Sequence, residues 1–227
     1  MKTLGVIGGM GPLATTAFLQ RLQALTPATR DEDHIRVLMD LHPGIPNRHS
    51  HPEGAGAVIG DMAGRLVAMG AEVLAMPCNT AHAHAGRIRA AGAPFIDMVA
   101  ETAAEAVRDG ARRVGVLATP GGERLYQQAL EPLGAEAVVL EGQDRDAFMQ
   151  AVFAAKGGDT GPHNRAAMRR LAEALAAAGA DHLIAGCTEV PLLLTAEAAP
   201  LPLTDSAEVL ALACVRACAG EAALGDD

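Results

Sequence analysis

Gly70-Ala-Glu-Val-Leu-Ala-Met-Pro-Cys78-Asn-Thr-Ala-His82 reads as helix end, buried strand, polar elbow and helix start. Gly70 suits the left-handed residue that closes a helix. The apolar run Val73 to Met76 has the length of a buried strand. Pro77-Cys78 ends it, and Asn79-Thr80 can cap a helix over Ala81 to Ala91. In an open α/β sheet ligands bind beyond the carboxyl ends of the strands. A thiol at that place faces the positive end of a helix, which favours the thiolate. A buried Cys acting as a small hydrophobe is the plainer reading of one such residue.

The stretch recurs. Gly179-Ala-Asp-His-Leu-Ile-Ala-Gly-Cys187-Thr-Glu189 has the same form, with Gly70 and Gly179, Glu72 and Asp181, Leu74 and Leu183, and Cys78 and Cys187 in matching places (78 to 187, an offset of 109). Leu4-Gly5-Val6-Ile7 matches Val114-Gly115-Val116-Leu117 at an offset of 110, and Pro94-Phe95-Ile96-Asp97 matches Pro202-Leu203-Thr204-Asp205 at 108. Three blocks in one order at nearly one offset indicate two copies of one unit, each with a thiol at the same structural place.

Outward from these blocks the chain alternates strands and helices. In the first copy, strands are expected over Thr3 to Ile7 and Arg36 to Leu41, with helices from Pro12 to Leu25 and Gly54 to Met69. In the second, strands are expected over Arg113 to Leu117 and Ala137 to Leu140. Helices are expected over Glu123 to Leu133, Asp144 to Ala154, Asn164 to Ala178 and Asp205 to Ala219, with Lys156 in a loop. The expected class is therefore α/β with mainly parallel sheets. The expected halves are residues 1–98, with 206–227 packing back on them, and residues 99–205.

A net charge of −9 and five aromatic residues (four Phe, one Tyr) leave neither a basic footprint nor stacking platforms for nucleic acid. Met1-Lys-Thr-Leu-Gly enters a strand directly, and no apolar run reaches membrane-spanning length, so a cytoplasmic protein with reduced thiols and no membrane partner is expected. Cys214 and Cys218, four apart in an apolar helix, read as core residues. Gly9-Met-Gly11-Pro-Leu-Ala14 matches a dinucleotide fingerprint, but Asp40 lies farther on than the usual acidic residue, so a tight anion-facing turn is the preferred reading. Cys78 with His82 and His84 lacks the second Cys pair of a structural zinc site, and no metal is expected. His82, one turn beyond Cys78, is placed to polarise the thiol.

Two matched thiols suit a symmetric task. In racemisation a base on one face takes the Cα proton and an acid on the other returns one, and the roles swap in reverse. Asn79, Thr80 and Thr188 are placed to hold a substrate carboxylate.

Gly8-Gly-Met-Gly-Pro-Leu-Ala14, Ile45-Pro46-x-Arg48, Met76-Pro-Cys-Asn-Thr-Ala-His82 and Gly186-Cys-Thr-Glu189-x-Pro-Leu together resemble the cofactor-independent aspartate/glutamate racemase family, over nearly the whole chain. The resemblance implies two pseudo-symmetric α/β domains with the site in the cleft between them, a homodimer, and no pyridoxal phosphate or other cofactor. It implies Cys78 and Cys187 as the acid/base pair, and Arg48 and Lys156 as ligands of the substrate carboxylates. Met10 and Thr119, in the loops after the first strand of each copy, complete the substrate-binding set, with His82 and Glu189 as supporting residues. Glu189 after Cys-Thr is the aspartate-type choice, where glutamate racemases of the cell-wall pathway usually carry His. Asn47 stands where an Asp is common, and Ala83 where an aromatic often follows the His. The expected reaction is interconversion of L- and D-aspartate, with glutamate the second candidate. A decarboxylase or isomerase of a small dicarboxylate on the same scaffold, and a binding protein for an acidic metabolite, are the alternatives.

Overall fold

The structure, a computed structural model, describes residues 1–47 and 50–220. Arg48 lies outside the described residues, as do residues 221–227. The chain forms two compact units, Met1–Glu101 with Ala207–Asp227, and Thr102–Ser206.

In the first unit β1 (Leu4–Gly8) lies between β2 (Val37–Leu41) and β3 (Val73–Ala75), all parallel. Phe95 extends the row by bridging Leu74 in parallel. Every residue of β1 is buried, as expected of a strand covered on both faces. Helices α1 (Pro12–Leu25), α2 (Pro52–Ala68), the short α3 (Ala85–Arg89) and the first turn of α4 (Met98–Val107) belong here, as does the closing helix α8 (Ser206–Ala219), apart from its first residue. The α8 residues Leu210, Cys214 and Cys218 share one core with Leu4, Val6, Phe18 and Val73. Burial pushes both thiols up from their ordinary range, as suits inert packing residues.

In the second unit the sheet order is β5-β4-β6-β7, again parallel: β4 (Arg113–Val116), β5 (Glu136–Val139), β6 (His182–Ala185) and β7 (Leu203–Asp205). Its helices are α5 (Pro120–Leu130), α6 (Gly142–Lys156) and α7 (Pro162–Ala177). The strand bearing Cys78 and the strand bearing Cys187 each pair with the first strand of their own unit.

The repeat extends to individual contacts. A Cβ on Gly5 would fall 2.7 Å from Leu74 Cδ2 and 2.8 Å from Ala71 Cβ; one on Gly115 would fall 2.8 Å from Leu183 Cδ2 and 3.2 Å from Ala180 Cβ. Both glycines let a helix end approach the sheet closely. Gly70 and Gly179 both have left-handed backbones (φ 98° and 92°) and close α2 and α7. In each case the following N–H returns to a leucine carbonyl, Ala71 to Leu66 and Ala180 to Leu175. The matched acids serve one purpose: Glu72 accepts from the N–H of Thr3, and Asp181 from those of Arg112 and Arg113.

Several boundaries differ from the expectation. The segment after Cys78 is a 3-10 turn, Thr80–His84, followed by only five α-helical residues, and Asn79 makes no side-chain cap bond. The stretch after Cys187 is a 3-10 turn, Val190–Leu192. Neither thiol therefore meets the start of a long helix, which removes the dipole as a reason for thiolate character. Helix α5 starts at Pro120, because Pro suits a first turn and Thr119 caps it by accepting from Gly122 N–H at 3.3 Å. Lys156 is the last residue of α6, not a loop residue.

Candidate active site

The first cysteine turn is built on the backbone. Cys78 follows β3 and is 5% exposed, and Asn79 is 2% exposed. Thr80, half-buried, opens the 3-10 turn. Met10 is buried in the same apolar cluster as Cys78 and Met76. His82 holds this turn in place by two bonds. Its Nε2 accepts from the N–H of Met98 at 3.0 Å, so Nδ1 carries the ring proton and donates to the carbonyl of Cys78 at 2.9 Å. Both ring nitrogens are thus spent on backbone groups, not on the thiol. Burial holds the His82 pKa below the ordinary histidine range.

That shift has a direction that can be measured. A buried neutral His must take up a proton on unfolding once the pH falls below its unfolded value, about 6.5. Stability contributed by His82 is therefore complete above that pH and is lost progressively below it. Denaturant midpoints measured from neutral pH into mild acid should fall more steeply in the wild type than in His82→Gln.

The second turn is chemically different. Gly186 precedes Cys187 where Pro77 precedes Cys78, because a Cβ there would lie 2.8 Å from the ring of buried Tyr126. Cys187 is 6% exposed, and its Sγ donates to Glu189 Oε2 at 2.9 Å. Thr188 Oγ1 also donates to Oε2, at 3.4 Å. The other carboxylate oxygen, Oε1, is 3.6 Å from Lys156 Nζ. Burial, then the adjacent Glu189 charge, push the Cys187 thiol well above its ordinary range, against a downward pull from Lys156. The thiolate expected at this elbow is thus replaced by a protonated thiol on a carboxylate acceptor.

Cys187, Thr188, Glu189 and Lys156 are therefore brought together, as are Cys78, Asn79, Thr80 and His82. Thr119 lies close to the second group: a Cβ on Gly122, which Thr119 caps, would lie 3.5 Å from the carbonyl of Gly186. Beside it is an ion pair that the sequence did not suggest, buried Glu123 with half-buried Arg145 at 3.0 Å. Burial raises the Glu123 pKa. Glu123 looks like an ordinary acidic residue in a first helical turn, and only the fold shows that it is buried.

The tight-turn reading of the first glycine loop also has a local cause. Gly9 has φ 102°, and a Cβ there would fall 2.5 Å from the backbone of His42. Its N–H donates to Thr15 Oγ1 at 3.1 Å. Asp40, the residue a dinucleotide ribose would need, is bonded to Arg65 at 2.7 Å.

Among the described residues no helix is long and apolar enough to cross a membrane. The Asp/Glu/Hydantoin racemase model matches residues 7–214. The broad specificity amino-acid racemase RacX of Bacillus subtilis is 30% identical over 218 residues, 92% of this chain and 94% of that protein. A glutamate racemase of Pseudomonas aeruginosa is 36% identical over 150 residues, 63% of this chain and 54% of its own. The solved structure of Picrophilus torridus aspartate racemase superposes with a TM-score of 0.86 at 28% identity, covering 98% of this chain and 96% of that one. With a matched thiol turn in each of two like sheets, and a family model spanning both, this chain belongs to the Asp/Glu/hydantoin racemase family.

Proposed function

We propose that this amino-acid racemase interconverts L- and D-aspartate, with glutamate as the second acidic substrate, by taking the Cα proton with one of Cys78 and Cys187 and returning a different proton from the other, without a cofactor. The observation that carries the reading is the duplicated thiol: one cysteine at the end of the strand beside each unit's first strand, each in a buried polar turn.

Two-base racemisation asks for one thiol on each face of the substrate Cα. In one direction the Cys78 thiolate takes the Cα proton, and the electron pair stays on the substrate as a carbanion delocalised into its carboxylate. The Cys187 thiol, held protonated on Glu189, donates to the opposite face. The enzyme is left with a Cys78 thiol and a Cys187 thiolate, which is the starting form for the reverse reaction. Asn79, Thr80, Thr119 and Thr188 supply donors for the substrate's α-carboxylate, Met10 shapes the Cys78 side, and Arg48 meets the second carboxylate. Aspartate is favoured by Glu189 after Cys-Thr and by the likeness to the Picrophilus aspartate racemase. The broad specificity stated for RacX makes neutral amino acids the informative comparison. A homodimer forms part of the same reading and is measurable by light scattering.

Purified protein incubated with L-aspartate, L-glutamate and L-alanine, with and without pyridoxal phosphate, should produce D-aspartate fastest and at the same rate in both cases. Chiral chromatography reads the result. No conversion of any amino acid would sink the proposal, and conversion only with pyridoxal phosphate would sink its mechanism.

A further inference from the structure

The charged groups around Cys187 form a short chain from thiol to carboxylate to ammonium. Glu189 is 2% exposed and takes the Cys187 proton donor on one oxygen, at 2.9 Å. Its other oxygen lies 3.6 Å from Lys156, which arrives from the end of α6. A buried carboxylate is costly unless a counter-charge and hydrogen bonds answer it, and here Lys156, Thr188 and Cys187 supply them. The Lys156 ammonium is thereby paired with Glu189 in the free protein.

We propose that Lys156 is a positioning residue for Cys187, acting through the buried Glu189 carboxylate to fix where the thiol proton rests and how readily it leaves. The role rests on the racemase reading for its purpose, but the geometry is a property of the free protein. Glu189 holds the proton on the sulfur by its charge and by accepting the S–H bond. Lys156 loosens that hold. The two side chains therefore act on one thiol with opposite sign. Other charges nearby are Glu123, bonded to Arg145, and Asp205, whose register partner Ala185 lies two residues before Cys187. Their charges are unchanged by substitutions at positions 156 and 189.

Because racemisation has an equilibrium constant of about one, kcat/KM for the two enantiomers must stay equal in every variant. A changed thiol shows in the shared pH profile, not in a preference for one direction. The direct test is the titration of Cys187 in the substrate-free protein, by ultraviolet thiolate absorbance in a Cys78→Ala background. The same protein carrying Cys187→Ala is subtracted to remove Cys214 and Cys218.

Glu189→Gln should move the Cys187 midpoint down by about one pH unit or more, a tenfold change in acidity. Lys156→Met should move it up by a similar amount, and Lys156→Arg should return it toward wild type. Circular dichroism confirms folding, and Lys156→Arg still tests the claim if Lys156→Met does not fold, since it must then keep the wild-type midpoint. An absent shift, or two shifts of the same sign, would overturn the proposal. So would a Lys156→Met variant with an unmoved thiol and only a raised KM, since that is the mark of a substrate grip. None of these titrations involves turnover, so a failure of the positioning role is distinct from a failure of the racemase assignment.

Discussion

Cys78→Ala and Cys187→Ala are each expected to lower racemisation by about 10²–10⁴-fold, the usual contribution of a positioned acid or base. The loss should be similar for the two, because each direction of reaction needs both groups. Both side chains pack in buried clusters, so each substitution also removes a sulfur from a core. That costs on the order of 1 kcal/mol, within the ordinary range for a single substitution. Circular dichroism and the denaturation midpoint separate this modest loss from the catalytic one. Full activity in either variant would refute the paired-thiol mechanism.

Arg48→Ala has the next largest expected effect. The protein carries net charge −9, yet an acidic amino acid brings two carboxylates, so local positive charge is required. The ammonium of Lys156 is answered by Glu189, and Arg145 by Glu123. Arg48 is the cation proposed for the substrate's second carboxylate. An Arg can hold a carboxylate through two parallel bonds that Lys cannot copy. Loss of such a contact costs about 1.5–3 kcal/mol, roughly one to two decades in kcat/KM. Arg48→Lys should lose less, and turnover of alanine, if measurable in the wild type, should be spared. Wild-type kcat/KM on aspartate in Arg48→Ala would remove the main physical support for an acidic substrate.

Much of the architecture was legible because the duplication leaves a periodic trace. The recurring Gly-Ala-acid-x-Leu blocks place a helix end, a strand and an acid that holds a neighbouring strand's N–H groups, and the fold uses all of them in both units. The parallel α/β class followed from the alternation of patterns. What the sequence could not show was the chemistry of the two elbows. Asn79-Thr80 carries a capping signal, yet the chain there forms a 3-10 turn, since the His82 ring ties the carbonyl of Cys78 to the N–H of Met98. Those contacts are tertiary and leave no local pattern. Lys156, followed by Gly-Gly, looked like a loop residue, but the helix runs through it and delivers its ammonium to Glu189. Likewise Cys187 looked like a thiolate at a helix start, while the fold gives it a short turn and a buried carboxylate.

The most direct measurement is deuterium incorporation at Cα during racemisation of L-aspartate in D2O, read at early conversion by mass spectrometry after chiral separation. With a separate thiol on each face, the D-aspartate formed should carry deuterium at Cα, while the remaining L-aspartate stays largely protiated. Equal early wash-in of deuterium to both enantiomers would mean that one base serves both faces, and would contradict the paired roles of Cys78 and Cys187.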